Sequence, residues 1–275
     1  MTRDILMICR DWDHIDPRGA APGYALVVGG SLRPEFLLDA YRRGYFPLPS
    51  PGNDQAEINR VLYQAEVEAG RTLVMETDQP LGPFATTWWN PETRPVVING
   101  HLHVSRSLGQ ELRNRCTWTT TADEAFGQVV FECGRERRER WLTDELVDSL
   151  HVLHQSGWAH SIEVWDDEKL VGGLFGIGIG GVFSIDSTFH RASNAGKVTF
   201  ADLQDRLADS SVSIIDLQWP QHYLSSIGAQ VIEQSEYLSM LRQGAGPLTM
   251  AVGRKMARRL GKRRQSGAAM GGDLQ

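Results

Sequence analysis

Residues 157–218 constrain the fold of this chain more than any other stretch, because they contain four strand patterns and one helix pattern in order. Residues 160–165 alternate in polarity and end at an Asp-Asp turn, which indicates a hairpin with residues 170–177. A glycine-rich second turn then leads to a third predicted strand at residues 182–188. The sequence therefore predicts three successive strands joined by tight turns.

A helix and a fourth strand complete this stretch. The helix covers residues 194–208, and its apolar residues recur near the helical period at Ala195, Val198, Leu203 and Leu207. The strand at residues 213–218 is almost wholly apolar up to Asp216, which is typical of a strand buried on both faces. Because side chains alternate along a strand, Asp216 and Gln218 are expected to project into the same cleft. Packing alone does not call for an acid and an amide there.

The composition sets the class of protein. A chain of 275 residues with 41% hydrophobic and 23% charged residues is typical of a soluble protein with one large or two small domains. No apolar run approaches the roughly 20 residues of a membrane span, and no signal pattern is evident, so we expect a cytoplasmic protein without a membrane partner. Three cysteines without CxxC spacing indicate neither a disulfide framework nor a metal site.

A net charge of −6 argues against nucleic-acid binding over the whole surface, so any such contact needs local basic patches. Positive charge concentrates in three segments: residues 104–115, 135–140 and 244–275. The candidate arginines in the first two are Arg106, Arg113, Arg115, Arg137 and Arg138. A mixed Arg/Glu run is typical of a solvated face, and a like-charged tail is typical of disorder. Alternatively, these segments bind phosphates, beside the indole of Trp141 on which a base would stack.

Several motifs occur in a fixed order along residues 24–241, with one interruption. The first half contains GGSLRPEFLLDAYRRGYFPLPSPG, WWNPETRPV, HVSRSL, AFGQV and WLT. The second half contains GWAHSIEVW, LVGGLFG, FSIDSTFHRASNAGK and IIDLQ. In this order they resemble the bacterial leucyl/phenylalanyl-tRNA–protein transferase family.

The resemblance implies an α/β (α+β) fold. A GNAT-like acyltransferase domain with a central mixed sheet is expected over residues 94–243, after a smaller N-terminal α/β domain at residues 1–93. Residues 244–275 are expected to be a basic, disordered tail. Residues 53–87 depart from the family as an insertion and are interpreted as a surface elaboration. Apolar residues at Ile58, Val61, Leu62 and Ala65 have helix-like spacing, and a strand pattern follows at residues 71–76.

The resemblance also implies a reaction, in which Leu or Phe moves from charged tRNA to the N-terminal Arg or Lys of a protein and creates a degradation signal. The aminoacyl ester is already activated, so no cofactor or metal is expected. The carbonyl oxygen of Gln218 can accept a hydrogen bond from the attacking amine, and Asp216 fixes that amide or stabilises the ammonium. Residues 191–197 lack the glycine spacing that holds the coenzyme A pyrophosphate, so coenzyme A is not predicted.

Further site residues follow from the resemblance alone. Asp186 replaces a family glutamate beside the basic side chain of the acceptor. The side chain of the transferred Leu or Phe is expected to occupy a pocket formed by Leu174, Phe183, Thr188 and Ile215. Trp141 matches the tryptophan against the terminal adenosine of tRNA, whereas Leu48 replaces a second aromatic platform. Arg106, Arg113, Arg115, Arg137 and Arg138 are the expected tRNA contacts.

Two other functions remain open from the sequence. The substitutions at Leu48, Asp186 and Thr188, the Gly109-Gln110-Glu111 run in the basic helix and the insertion all fall on substrate-facing segments. They favour a relative that passes the aminoacyl group to a small-molecule amine. A non-catalytic tRNA-binding protein is a third possibility, although such a protein has no need of the Asp-x-Gln pair.

Overall fold

A computed structural model describes residues 8–16, 23–135, 141–219, 224–244 and 246–261. The N-terminal part forms a five-stranded sheet and the rest forms an eight-stranded sheet. The elements of the N-terminal part are β1 (Ile8–Cys9), β2 (Val27–Gly29), α1 (Pro34–Arg42), β3 (Phe46–Pro49), α2 (Asn53–Glu68), β4 (Leu73–Met75) and β5 (Thr86–Trp89). Its strand order is β1-β4-β2-β5-β3, which mixes parallel and antiparallel pairs.

Aromatic packing holds this smaller sheet together. The ring of Trp12 stacks on Tyr45 at 4.7 Å and meets Trp88 edge-on at 5.0 Å. The indole of Trp88 also donates a hydrogen bond to the carbonyl of Gly29, so its polar atom is satisfied inside the core. Helix α1 begins with Pro34, whose missing N–H costs nothing at that position.

The predicted insertion forms α2 and β4, as its pattern indicates, but it is part of the sheet. Strand β4 lies between β1 and β2. Helix α2 buries Ala56, Asn59 and Tyr63, whereas Ile58 and Leu62 of the expected apolar stripe are at least half exposed. The insertion is therefore more than a surface elaboration, because removing β4 would divide the N-terminal sheet.

The larger sheet follows the predicted order of strands and helix. Its elements are β6 (Thr93–Ile98), α3 (Arg106–Asn114), β7 (Thr119–Ala122), α4 (Phe126–Arg135), α5 (Asp144–Gln155), β8 (Ala159–Asp166), β9 (Lys169–Ile179), β10 (Val182–His190), α6 (Ala195–Arg206), β11 (Ile214–Asp216), β12 (Gln230–Glu233), α7 (Gln234–Leu241) and β13 (Lys255–Met256). The strand order is β12-β6-β11-β10-β9-β8-β7-β13. Among these described strands, only β10 and β11 pair in parallel, with α6 as the connection.

The two faces of this sheet have different neighbours. Helices α4 and α5 cover one face, and α1 of the N-terminal part packs against α5 and β9 on the same side. Helix α6 covers the opposite face. The sheet is thus mixed and covered on both sides, as expected for an α+β acyltransferase-like domain. In the described part of the chain, no helix is long and apolar enough to cross a membrane.

The expected disorder of the tail is wrong for residues 246–261. Strand β13 pairs antiparallel with β7, and a 3-10 helix, Ala257–Gly261, packs against α3 and α6. These residues are ordered because ion pairs with Asp202 and Asp205 of α6 neutralise the charge of Arg259. Residues 262–275 lie outside the described part.

A buried arginine fastens this C-terminal segment to the domain. The Nε of Arg206 donates to Asp202 at 2.7 Å, and both side chains are fully buried. The remaining guanidinium nitrogens donate to the carbonyls of Thr120, Ala251 and Gly253. One cation therefore joins α6, β7 and the chain before β13.

We expect the Arg206→Met substitution to lower the free energy of unfolding by about 3–5 kcal/mol, because it leaves a buried carboxylate and three carbonyls without this partner. Urea unfolding at neutral pH measures the change. The matched control is Arg242→Met, which removes an exposed arginine and should change stability by less than about 0.5 kcal/mol. Equal stability of the two variants would contradict the assignment.

Candidate active site

Asp216 ends the buried strand β11 and accepts hydrogen bonds from four groups. Its Oδ2 accepts from Arg94 at 2.9 Å, from the Ser184 hydroxyl at 3.0 Å and from the Tyr237 hydroxyl at 2.9 Å. Its Oδ1 accepts from the backbone N–H of Gln218 at 2.8 Å. Because the carboxylate is fully buried, these four donors replace its hydration.

The side chain of Gln218 also lies at this site, but strand alternation, which predicted this, is not what places it there. The strand ends at Asp216, and Gln218 has a φ of 58°, the left-handed region that non-glycine residues seldom adopt. The contact between its N–H and Asp216 holds this conformation. The amide Nε2 donates to Asp186 at 2.7 Å and to Ser184 at 3.3 Å, which fixes the orientation of the amide.

Asp186 is the second buried carboxyl of the site. It sits at an irregularity in β10, where the register with β9 shifts between Ile185 and Ser187. The Tyr41 hydroxyl donates to its Oδ1 at 2.8 Å. Burial raises the pKa of Asp186 to about 7 against the opposing hydrogen bonds from Tyr41 and Gln218, and the Asp216 carboxylate adds to the rise.

Arg94 connects this site to the N-terminal part. It lies in β6, fully buried, and besides Asp216 it donates to the Gly44 carbonyl and to Asn90 Oδ1, the latter at 3.3 Å. Its guanidinium lies over the rings of Tyr237 at 4.4 Å and Phe46 at 4.9 Å. The two aromatic rings and the Asp216 carboxylate stabilise the buried cation at this position.

Sequence reasoning found Asp216, Gln218 and Asp186 but missed four of their partners. These partners are Tyr41, Arg94, Ser184 and Tyr237. Burial raises the pKa of both tyrosines well above the ordinary value, so they remain hydroxyl donors. Of these four, Arg94 had a signal in the sequence, because it is a single cation at the start of an otherwise apolar strand.

Comparison with known proteins decides the family. The family model described as leucyl/phenylalanyl-tRNA protein transferase matches residues 96–242. A relative with the name leucyl/phenylalanyl-tRNA–protein transferase in Shewanella baltica (strain OS185) is 36% identical over 225 residues, covering 81% of each chain. A relative of the same name in Pseudomonas fluorescens (strain SBW25) is 37% identical over 224 residues, 80% of this chain and 85% of its own.

The chain belongs to the leucyl/phenylalanyl-tRNA–protein transferase family. It is therefore a transferase enzyme, and the resemblance found in the sequence is confirmed. The family match contains Asp186, Asp216 and Gln218, which the structure brings together in one hydrogen-bonded group.

The four residues expected to form the aminoacyl pocket lie on the face of the sheet opposite to Asp216, because Ile215 alternates with Asp216 along β11 and pairs with Phe183, and Thr188 pairs with Leu174. Leu174, Phe183 and Ile215 are fully buried in the core cluster that includes Leu203 of α6. Thr188 is half-buried and pairs with Leu174 across the strands. In this structure the four residues do not open onto Asp216, and their role in this transferase-family chain stays a prediction.

Trp141 lies on the wall of a cavity of about 520 Å³ that is otherwise lined by residues of the N-terminal part. Leu48 and Trp89 line the same cavity, together with Gln55, Asn59 and Tyr63 of α2. The Asn59 amide donates to Ser50 and to the Phe84 carbonyl, both at 3.0 Å, so α2 is held in place at this wall. The insertion thus contributes Gln55, Asn59 and Tyr63 to the lining of a cavity that Leu48 also lines.

Of the five arginines expected to contact tRNA, three lie within the described residues and two do not. Arg106, Arg113 and Arg115 are exposed on or beside α3 and form no ion pair with the described residues. Arg137 and Arg138 lie outside the described residues.

The raised pKa of Asp186 predicts a stability that depends on pH. Between pH 3.8 and about pH 7, Asp186 holds a proton in the folded protein that it has released in the unfolded chain. The free energy of unfolding therefore falls as pH rises through this window. Relative to Asp186→Asn, the wild type should lose at most about 4 kcal/mol between about pH 4 and pH 8.

Urea unfolding across this range measures the difference, with the exposed-site variant Asp209→Asn as control. If the wild-type and Asp186→Asn curves run parallel, the carboxyl does not titrate near neutrality in the folded state.

Proposed function

We propose that this protein moves Leu or Phe from charged tRNA to the N-terminal Arg or Lys of acceptor proteins, forming a peptide bond. The relatives carry names that state leucyl and phenylalanyl transfer to protein. The observation that supports the same reaction here is the Asp216–Gln218–Asp186 group, whose hydrogen bonds set the amide of Gln218 beside a carboxyl. A buried carboxyl and an amide of fixed orientation are groups that can together bind an amine.

The reaction needs little acid–base assistance from the protein. The α-amine attacks the ester carbonyl, the bond to the tRNA ribose oxygen breaks, and that oxygen takes up a proton as the amine loses one. Roughly a tenth of an α-amine is already neutral at pH 7. Because Nε2 of Gln218 is engaged with Asp186, its Oε1 is the atom that accepts a hydrogen bond from the amine and aligns it.

Asp186 selects the acceptor. When it is ionised, its carboxylate forms a charge-assisted hydrogen bond with the guanidinium or ammonium of an N-terminal Arg or Lys. An arriving cation favours the charged form, so acceptor binding lowers the pKa of a group that stands near 7 in the free protein. The carboxylate of Asp216 is already paired with Arg94, which leaves Asp186 for the acceptor.

The 3′ end of the tRNA enters the cavity beside Trp141. An indole supports stacking of a terminal adenine, worth about 1–3 kcal/mol per base. Gln55 of α2 adds an amide to the lining of the same cavity, where Leu48 offers no ring. We place the reaction in the cytoplasm, where charged tRNA is available.

Nothing in the comparisons favours a small-molecule acceptor, which was the alternative from the sequence. The named relatives transfer to protein, so a protein N-terminus is the acceptor adopted here.

The test is transfer of radiolabelled Leu or Phe from charged tRNA to a protein that begins with Arg or Lys. Gln218→Ala should lower the transfer rate by about 100-fold or more while leaving tRNA affinity unchanged, because the amide positions the amine and not the nucleic acid. The matched control is Gln230→Ala, at an exposed position of β12. Absence of transfer by the wild type, with charged tRNA bound, would refute the proposed acceptor or amino acid.

A further inference from the structure

Among the described residues that line the cavity beside Trp141, none is acidic or basic. Trp89 lines the cavity as well, and its indole N–H donates to the Thr87 hydroxyl at 2.9 Å, which fixes the ring. The volume of about 520 Å³ lies in the range of small-molecule sites. Two indoles and an uncharged lining fit a planar heterocyclic base, whereas a phosphate needs cations.

Helix α2 supplies three of the lining residues, Gln55, Asn59 and Tyr63. They are spaced by four residues, so they lie on one side of the helix. Helix α2 belongs to the insertion, which departs from the family pattern. The resemblance to the family therefore assigns no role to this wall of the cavity.

Hydrogen bonds fix the orientation of the two amides on this wall. The backbone carbonyl of Phe84 is an acceptor only, so the atom of Asn59 that lies 3.0 Å from it is the donor Nδ2. The Ser50 hydroxyl accepts from the same nitrogen at 3.0 Å. Oδ1 of Asn59 therefore faces Gln55 and accepts from its Nε2 at 3.3 Å. Among the described residues none donates to Oε1 of Gln55, which leaves this oxygen as an acceptor for a ligand.

Adenine carries the complementary groups. Its exocyclic amino group is a donor beside a ring-nitrogen acceptor, and a glutamine amide pairs with both. Oε1 of Gln55 accepts from the amino group, and the second hydrogen of Nε2 is left for the ring nitrogen. Hypoxanthine has a carbonyl oxygen in place of the amino group, so two acceptors would face each other. Turning the amide over would place Oε1 against Oδ1 of Asn59, so the mismatch is not relieved in that way.

We propose that Gln55, oriented by Asn59, recognises the amino group of the terminal adenine and so selects the base that the donor carries. The inference rests on the proposed function, which places the 3′ end of the tRNA in this cavity. Leu48 offers no ring here, and the hydrogen bonds from α2 replace the stacking that a second aromatic platform would supply. Gln55 is thus a specificity-determining residue, and Asn59 is a positioning residue.

The first experiment measures binding by calorimetry, independently of transfer. The probes are the stable amide of phenylalanine with 3′-amino-3′-deoxyadenosine and its inosine counterpart. The wild type should bind the adenosine probe at least about tenfold more tightly than the inosine probe. Gln55→Met keeps the volume of the side chain but removes the amide, so the ratio of the two affinities should fall to about one.

The matched control is Gln64→Met, at an exposed position of the same helix, which should keep the wild-type ratio. A wild type without base preference would overturn the proposal. A Gln55→Met variant with the wild-type ratio would overturn it as well.

Asn59→Ala tests the positioning role. This variant keeps the amide of Gln55 but lets it turn over, so the affinities for the two probes should approach each other. A purely structural loss would weaken the binding of both probes by the same factor. A ratio that stays at the wild-type value would therefore overturn the role of Asn59.

Transfer assays separate this proposal from the proposed function. The donors are the phenylalanyl esters of adenosine and of inosine, and the acceptor is a protein that begins with Arg. The wild type should favour the adenosine ester in kcat/KM, and Gln55→Met should not. If the wild type transfers from neither ester nor charged tRNA, the proposed function fails, and the binding ratio of the two amides still decides the role of Gln55.

Discussion

The ion pair between Arg94 and Asp216 is the interaction on which the rest of the site depends. Both side chains are fully buried, and removing two charges from water costs several kcal/mol for each ion. The pair is compensated by two hydroxyl donors, a backbone N–H, a carbonyl and two aromatic faces. Such a pair contributes little net stability. It favours instead the single arrangement in which all of these groups are hydrogen-bonded.

That arrangement joins the two sheets of the protein. Arg94 belongs to the larger sheet, yet it donates to the carbonyl of Gly44, just before β3 of the smaller one. Tyr41 of α1 likewise reaches across to Asp186. The contact between the parts that contain the two sheets and the candidate active site are therefore one hydrogen-bonded network. Two carboxyls lie in it, and the described residues give an arginine partner to Asp216 but not to Asp186, which is why we propose Asp186 as the group that binds the cation of the acceptor.

The strands and the helix of residues 157–218 were predictable, because alternation, tight turns and helical spacing are local signals. Strand alternation predicted that Asp216 and Gln218 share one site, but the strand ends at Asp216, and the left-handed backbone that brings Gln218 there has no local sequence signal. Arg94 was missed because its partner is 122 residues away, and no local pattern encodes that interaction. The order of residues 246–261 was missed because the acids that neutralise Arg259 lie on α6. On α2 the spacing indicated the helix but the wrong buried face, because Asn59 packs inward through hydrogen bonds.

The most direct measurement is the transfer rate of the Arg94→Lys variant with charged tRNA and an acceptor protein that begins with Arg. Lysine keeps the charge but lacks the planar fork that bonds Asp216, Gly44 and Asn90 together. We expect a rate at least about 100-fold lower with tRNA affinity retained, because Asp216 and Gln218 lose their alignment. A variant that folds and transfers at the wild-type rate would contradict the dependence of the site on this ion pair.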